Sequence, residues 1–407
     1  MGSRIPFKII IWAALSTLFT LTTAALQDGI VSITSPFQRW AKNDTIVIDT
    51  FRQKDKNDLG FWHGAGEDLR VEYGAGYVRF FPTDPDQNFH TQLADNKCIS
   101  LLPYRGKHLH VVFSGTLKFG ISLNQHNQEC NPRQNPYPAT WDTVEAGRYA
   151  RGNEIYVPLE HFQIDQSRVV SVSFNGFYSR ESLTLYKVEI IPDLPKSVPT
   201  PSKLPSGQMA LRCSRPNSFA FGIDDGQPRF AQEVMKILEE EGILVTFFVV
   251  GAGLRNEETN FTRVYREMLK RGHQIALHST THQKMEGLQT VDEMDEEIAQ
   301  NVQVFKTFLE TESRYFRPPF GTIGARSRQR LAALLPDPYI VNWSVDIEDW
   351  LWAETETPER QVDAFVRDVK KGGNLVVMHY LHPSTVRYFR DIIRFVKSTG
   401  VDIMRID

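Results

Sequence analysis

The chain has 407 residues, 41% hydrophobic and 23% charged, with a formal net charge of -3. That is ordinary globular composition on a length that holds two or three domains, and it excludes a disordered or fibrous chain. Lys and Arg number 46 against 49 Asp and Glu, and no basic block stands out, which argues against a nucleic-acid partner.

Arg4 and Lys8 precede an apolar run at 9–21, and the small residues of 22–25 follow it. This order predicts a secretory signal peptide over 1–24. The run is shorter than the roughly 20 residues that span a bilayer. Cleavage, secretion to the exterior or cell wall, and no stable membrane anchor are therefore expected. Secretion permits disulfides. Cys98 and Cys130 lie in the same half and form the expected pair, although the sequence does not settle the connectivity. Cys213 is then left as a small buried hydrophobe. Asn43 and Asn260 open glycosylation sequons suited to surface loops. Asn342 opens another inside an apolar strand pattern and is expected unmodified.

Residues 25–191 read as short alternating strands at 45–51, 68–73, 77–81, 108–114, 117–123, 153–159, 169–177 and 183–191. Their spacing predicts an all-β sandwich. The run VIDTFRQKDKNDLGFWHGAG resembles the start of jelly-roll carbohydrate-binding modules. That makes this part a candidate glycan-binding domain, with Trp62, Trp141 and Tyr149 either stacking on sugar rings or packing in the core. A joint with five prolines, at 192–207, follows and reads as a semi-rigid extended linker.

From 208 to 407 strands and helices alternate. SFAFGID, LVTFFVV, HQIALHS, YFRPPF, YIVNWSVD, NLVVMHYL and VDIMRID read as seven strands. A helix follows Pro228 and stops at Gly242, and Thr290 with Glu293 fits a capping box at the start of another. Further helices fall at about 324–335, 358–371 and 383–399. The alternation predicts a parallel α/β barrel.

In such a barrel, chemistry gathers at the C-terminal ends of the strands. The first strand ends in Asp224-Asp225-Gly226, which is either a turn or a site. The third ends in His278 and His282, four apart, a spacing that suits one metal ion but also occurs in surface loops. A catalytic zinc site takes three protein ligands and an open position, and the end of the first strand offers two carboxylates for the third ligand. Arg317 at the fourth strand end can orient a carboxylate. Asp346, Glu348, Asp349 and Trp350 end the fifth, as a solvated turn or as a polar group beside a sugar platform. His379 ends the sixth.

Five such motifs in this order, over about 213–407, resemble the polysaccharide deacetylases of carbohydrate esterase family 4. RGHQIALHSTTH and YFRPPFG look most like chitin deacetylases. The resemblance implies a distorted (β/α)7 barrel, which in this chain follows the jelly-roll-like sandwich expected from the strand pattern of 25–191. It implies a divalent metal, zinc, with cobalt, manganese or nickel as alternatives. Asp225, His278 and His282 match the metal triad, Asp224 the general base, and Arg317 the arginine that steers it. His379 matches the general acid, with Asp349 orienting it. Phe320 stands where the family usually has Tyr and keeps the backbone N–H that serves the oxyanion. Trp350 matches the aromatic position of the fourth motif. Leu375 and Val377 match positions near the acetate pocket. Tyr380 replaces a frequent Asp and is expected at the pocket rim. The implied activity is removal of N-acetyl groups from a polysaccharide, chitin or its oligomers, by a secreted monomer. The alternatives are another acetylated glycan, acetyl-xylan or peptidoglycan, or a cell-wall lectin without turnover.

Overall fold

The computed structural model describes residues 45–95, 97–134, 140–196 and 198–407. The signal-peptide segment and Asn43 lie outside them. Alternation governs the N-terminal part. In Tyr77–Phe81, Val78 and Phe80 are fully buried while their neighbours are not, as a half-buried strand requires. All eight expected strands form, with ends shifted by a few residues, and they fall into two antiparallel sheets. One sheet runs Arg70–Gly74, Tyr77–Phe81, Leu183–Ile191, His108–Gly115, Glu154–Pro158 and Ala150–Arg151, with Ile46–Asp49 also on Leu183–Ile191. The other runs His63–Gly66, Asn88–Gln92, Val169–Asn175, Gly120–Gln125 and Thr140–Glu145. Phe80 of the first meets Phe89 and Phe174 of the second, with ring centroids 4.9 and 6.4 Å away. Cys98 and Cys130 form a disulfide with their Cα atoms 5.7 Å apart. Tyr149 is buried and its hydroxyl meets His161 Nδ1 at 2.9 Å, so it belongs to the core rather than to a sugar platform. Trp62 is exposed.

The C-terminal part carries parallel strands β1 Ser218–Asp224, β2 Thr246–Val249, β3 Gln274–Leu277, β4 Tyr315–Phe316, β5 Tyr339–Val341, β6 Val345–Asp346 and β7 Leu375–His379. Their order is β5-β4-β3-β2-β1-β7-β6, and Gln208–Ala210 adds to β5. The two ends of that order, β5 and β6, are pieces of one segment. Residues 341 and 345 can lie at most about 14 Å apart, so the sheet must curl until its ends meet. Two expectations are corrected here. YIVNWSVD is two strands, not one. VDIMRID is not a seventh barrel strand, because Asp402–Met404 pairs only with Ser218–Ala220 at the start of β1.

The seam between β5 and β6 lacks a continuous ladder, and a side chain fills it. Arg317, fully buried, donates to the carbonyls of Val341, Asn342 and Val376 at 3.1, 3.3 and 3.2 Å. It also explains the glycine in FAFGIDD. A Cβ on Gly222 would come within 2.4 Å of the Arg317 guanidinium, so only glycine leaves room. Around the sheet, helix Pro228–Glu241 starts on its proline and ends at left-handed Gly242, and helix Val291–Val304 opens with the Thr290–Glu293 capping box. Among the described residues no helix is long and apolar enough to cross a membrane.

Candidate active site

Strand register brings the polar strand ends together. Asp224 lies opposite His379 and Phe248, and Leu277 lies opposite Phe316, which sets His278 beside Arg317. Asp346 lies opposite Val377. Asp224, Asp225, His278, His282 and His379 line one cleft of about 640 Å³, within the usual range for a small-ligand site.

One ligand atom each from Asp225, His278 and His282 lie within 4.8 Å of one another. His278 and His282 approach to 4.9 Å between ring centroids, and His282 Nε2 is 3.5 Å from Asp225 Oδ2. His278 Nδ1 bonds the Arg317 carbonyl at 2.7 Å. That nitrogen must be the protonated one, because a carbonyl only accepts, so Nε2 keeps its lone pair for the cleft. Burial, outweighing the charge of Asp225, lowers the His278 pKa to about 4, which keeps it a neutral donor. Three such donors with an open side fit a divalent ion of the zinc type. Local backbone strain serves the cluster. Asp225, Ser279 and His282 all take φ between 50 and 63°, a region that non-glycine residues seldom occupy.

Asp224 is buried and takes a bond from Arg317 Nη1 at 2.6 Å. Burial pushes its carboxyl above the ordinary carboxylate range, against the pull of Arg317 and His379. His379 Nδ1 meets Asp349 Oδ1 at 2.8 Å, and its backbone N–H donates to Asp349 Oδ2 at 2.6 Å. Burial lowers the His379 pKa, but the charge and hydrogen bond of Asp349 win and raise it to about 9. Asp346, raised to about 6 by burial, also lines the cleft. Phe320 and Trp350 are 59% and 70% exposed on its rim, as platforms for an apolar or sugar face must be.

Two expected residues are not brought to the cleft. Leu375 opens β7 opposite Ala220, four residues before His379, so the strand carries it to the far end of the sheet; Val377, by contrast, does line the cleft. Tyr380 is buried rather than at the rim. Its hydroxyl meets that of Tyr265 at 3.2 Å, and its ring lies under Gly226, where a Cβ would come within 1.9 Å. Other supports were not anticipated. Glu297 accepts from the N–H groups of Thr280 and Thr281 at 2.9 Å each, and Asn301 Oδ1 accepts from His278 N–H at 3.1 Å. Both are buried on the same helix face as Met294 and Ile298. Two polar residues on an apolar stripe were the available signal. Asn260 is exposed, whereas Asn342 is buried and donates to the Gly321 carbonyl at 3.0 Å. Cys213 is half-buried, and its thiol donates to the Asn374 carbonyl at 3.2 Å.

Residues 212–335 match the family model described as polysaccharide deacetylase. A chitin deacetylase of Pestalotiopsis sp is 26% identical over 201 residues, covering 49% of this chain and 66% of that protein. A chitin deacetylase of Colletotrichum lindemuthianum is 25% identical over 209 residues, covering 49% and 81%. The peptidoglycan-N-acetylglucosamine deacetylase PgdA of Listeria monocytogenes is 28% identical over 219 residues, covering 53% of this chain but only 42% of its own. Residues 212–335 thus carry a polysaccharide deacetylase domain, and the C-terminal part of the chain is similar to chitin and peptidoglycan deacetylases.

Proposed function

We propose that the protein is a secreted, metal-dependent hydrolase that removes N-acetyl groups from chitin or chito-oligosaccharides and releases acetate. One observation carries this: an Asp-His-His cluster lies between an arginine-held carboxylate and an aspartate-held imidazole. In this reading Asp225, His278 and His282 hold the ion. When bound, a divalent ion supplies Lewis acidity, lowering the pKa of water toward about 7 and polarising a carbonyl. Asp224 takes a proton from the attacking water, with its free oxygen aimed by Arg317. The Phe320 N–H donates to the oxyanion that develops on the acetyl group. His379, protonated at both nitrogens, gives its Nε2 proton to the leaving amine while Asp349 holds Nδ1–H. Water and amide become acetate and a glucosamine unit.

The charge of the cleft narrows the substrate. Asp86, Asp346 and Glu354 add to the site acids on its lining, and Lys284 is the one Lys or Arg among the described lining residues. A glycan bearing carboxylates, such as peptidoglycan with its muramic acid, meets like charge there, and a neutral chitin chain does not. Acetate release should therefore be greater from chito-oligosaccharides than from peptidoglycan fragments, and a chelator should stop it. Binding without acetate release on every glycan would favour the lectin alternative.

Two variants test the supports. Asp349→Asn removes the negative charge that raises His379 above its ordinary 6.5. The active imidazolium is the form present below its pKa, so the alkaline limb of kcat should move from about 9 to lower pH. Acetate release measured from pH 5 to 10 reads this directly, and an unmoved limb counts against His379 as the acid. Gly226 takes φ 144° and has no room for a Cβ. Gly226→Ala should push the Asp225 backbone off Tyr380 and weaken metal binding about 10–100-fold, the range for lost ligand support, in a metal titration.

A further inference from the structure

The antiparallel part does not merely precede the cleft; it supplies part of its wall. The turn at Thr83–Gln87 is fixed by its own bonds, since Gln87 Oε1 accepts from the N–H groups of Thr83 and Asp84 at 2.7 and 3.2 Å. Lys284, two residues after His282, reaches into that turn. Its Nζ meets Asp84 Oδ1 and Oδ2 at 2.8 and 2.9 Å and Asp86 Oδ2 at 2.7 Å. Pro85 lies so close to Gly287 that a Cβ there would come within 3.1 Å. The rest of the contact is as firm. Arg328 donates to buried Asp142 at 2.6 Å, Lys203 pairs with the same carboxylate, and Arg326 lies 3.8 Å over the Tyr178 ring. The two parts are thus locked together, and the proline joint is not a free tether.

At the cleft this lock places one carboxylate in use. Asp86 lines the cleft with Lys284 and Phe320. Lys284 Nζ stands 5.6 Å from the centre of the Phe320 ring, which is itself 4.7 Å from the His282 ring. The Asp86 side chain keeps 35% of its surface exposed beside that contact. We propose that Asp86, held by Lys284, is a substrate-positioning residue that accepts a hydrogen bond from the sugar unit next to the one being deacetylated. The antiparallel part is then a specificity element of the cleft rather than a separate binding module. This rests on the deacetylase reading for the identity of the sugar. The chemistry it requires is a donor, a hydroxyl or a glucosamine ammonium, facing a fixed carboxylate.

The test is Asp86→Asn in the full chain, with Asp84→Asn/Asp86→Asn as a second variant and thermal unfolding to check that each folds. Binding of N-acetylglucosamine tetramer to chelator-treated protein is followed by tryptophan fluorescence, which Trp343 and Trp350 on the cleft report. The proposal expects Kd to weaken about 10-fold in Asp86→Asn. In the metal-loaded enzyme, KM for the tetramer should rise about as much while kcat changes less than about two-fold. Equal affinity of wild type and variant, or no saturable binding by wild type, overturns it. So does a KM rise equal for dimer and tetramer, since Asp86 should act on the added units. Acetate release absent from every glycan, with the binding difference intact, would instead remove the deacetylase reading and leave Asp86 as a glycan contact.

Discussion

Asparagine at position 224 is expected to lower kcat for acetate release by about 10³-fold and to leave metal content near one ion per chain. Alanine at 225 is expected to lose both. The two residues are neighbours on one strand end, yet the fold gives them different surroundings. Asp224 is the last residue of β1, buried, with one oxygen taken by Arg317. Asp225 has turned into the left-handed region and reaches toward His282. A base removed from a hydrolytic step typically forfeits 10²–10⁴-fold, which sets the size for Asp224→Asn. The amide oxygen of asparagine still accepts from Arg317 Nη1, but the buried guanidinium loses its counter-charge, so the variant should fold with lowered stability, which thermal unfolding reads alongside activity. Removing Asp225 leaves two histidine donors, fewer than the three that a catalytic site uses. Metal content by mass spectrometry and acetate release on the same preparations separate the two roles. Wild-type turnover in Asp224→Asn would sink the base assignment, and full metal content in Asp225→Ala would sink the ligand assignment.

Much of this arrangement was legible in order along the chain. Local periodicity encodes elements, and the Thr290–Glu293 box and the Pro228-to-Gly242 helix stand where the pattern put them. Asp224, His278 and His379 were legible because each is a polar residue ending an apolar run, and His282 because it stands four residues after His278. What the pattern could not carry is pairing between distant segments. Short strands such as His63–Gly66 and Asn88–Gln92 are glycine-rich or polar and show no alternation strong enough to mark them. The split of 339–346 into two strands depends on curling of the whole sheet. Leu375 and Tyr380 were placed by likeness, and strand direction decided otherwise: one sits at the wrong end of β7, the other just past its right end but turned inward. Lys284 and Asp84, 200 residues apart, could be joined only by tertiary packing.

Arg317 is where fold and chemistry are hardest to separate, and its loss should destabilise the protein by about 3–5 kcal/mol at neutral pH, the size for stranding one partner of a buried ion pair. In Arg317→Met three carbonyls at the seam, those of Val341, Asn342 and Val376, lose a donor, and Asp224 is left buried without its cation. Burial already raises the Asp224 carboxyl, and removing Arg317 takes away the largest opposing pull. The sign of the pH effect follows. A carboxyl whose folded pKa lies above its unfolded value of about 3.9 binds more protons folded than unfolded between the two. Stability therefore falls as pH rises through that window and levels off above the folded pKa. The deficit of Arg317→Met relative to wild type should be smaller at pH 4 than at pH 8 in urea unfolding. Adding Asp224→Leu to Arg317→Met removes the stranded charge but not the unpaired carbonyls, so the double variant should recover part of the loss and lose most of the pH dependence. A single variant within about 1 kcal/mol of wild type, or a deficit that grows toward pH 4, would show that the guanidinium does not neutralise Asp224 in the folded protein.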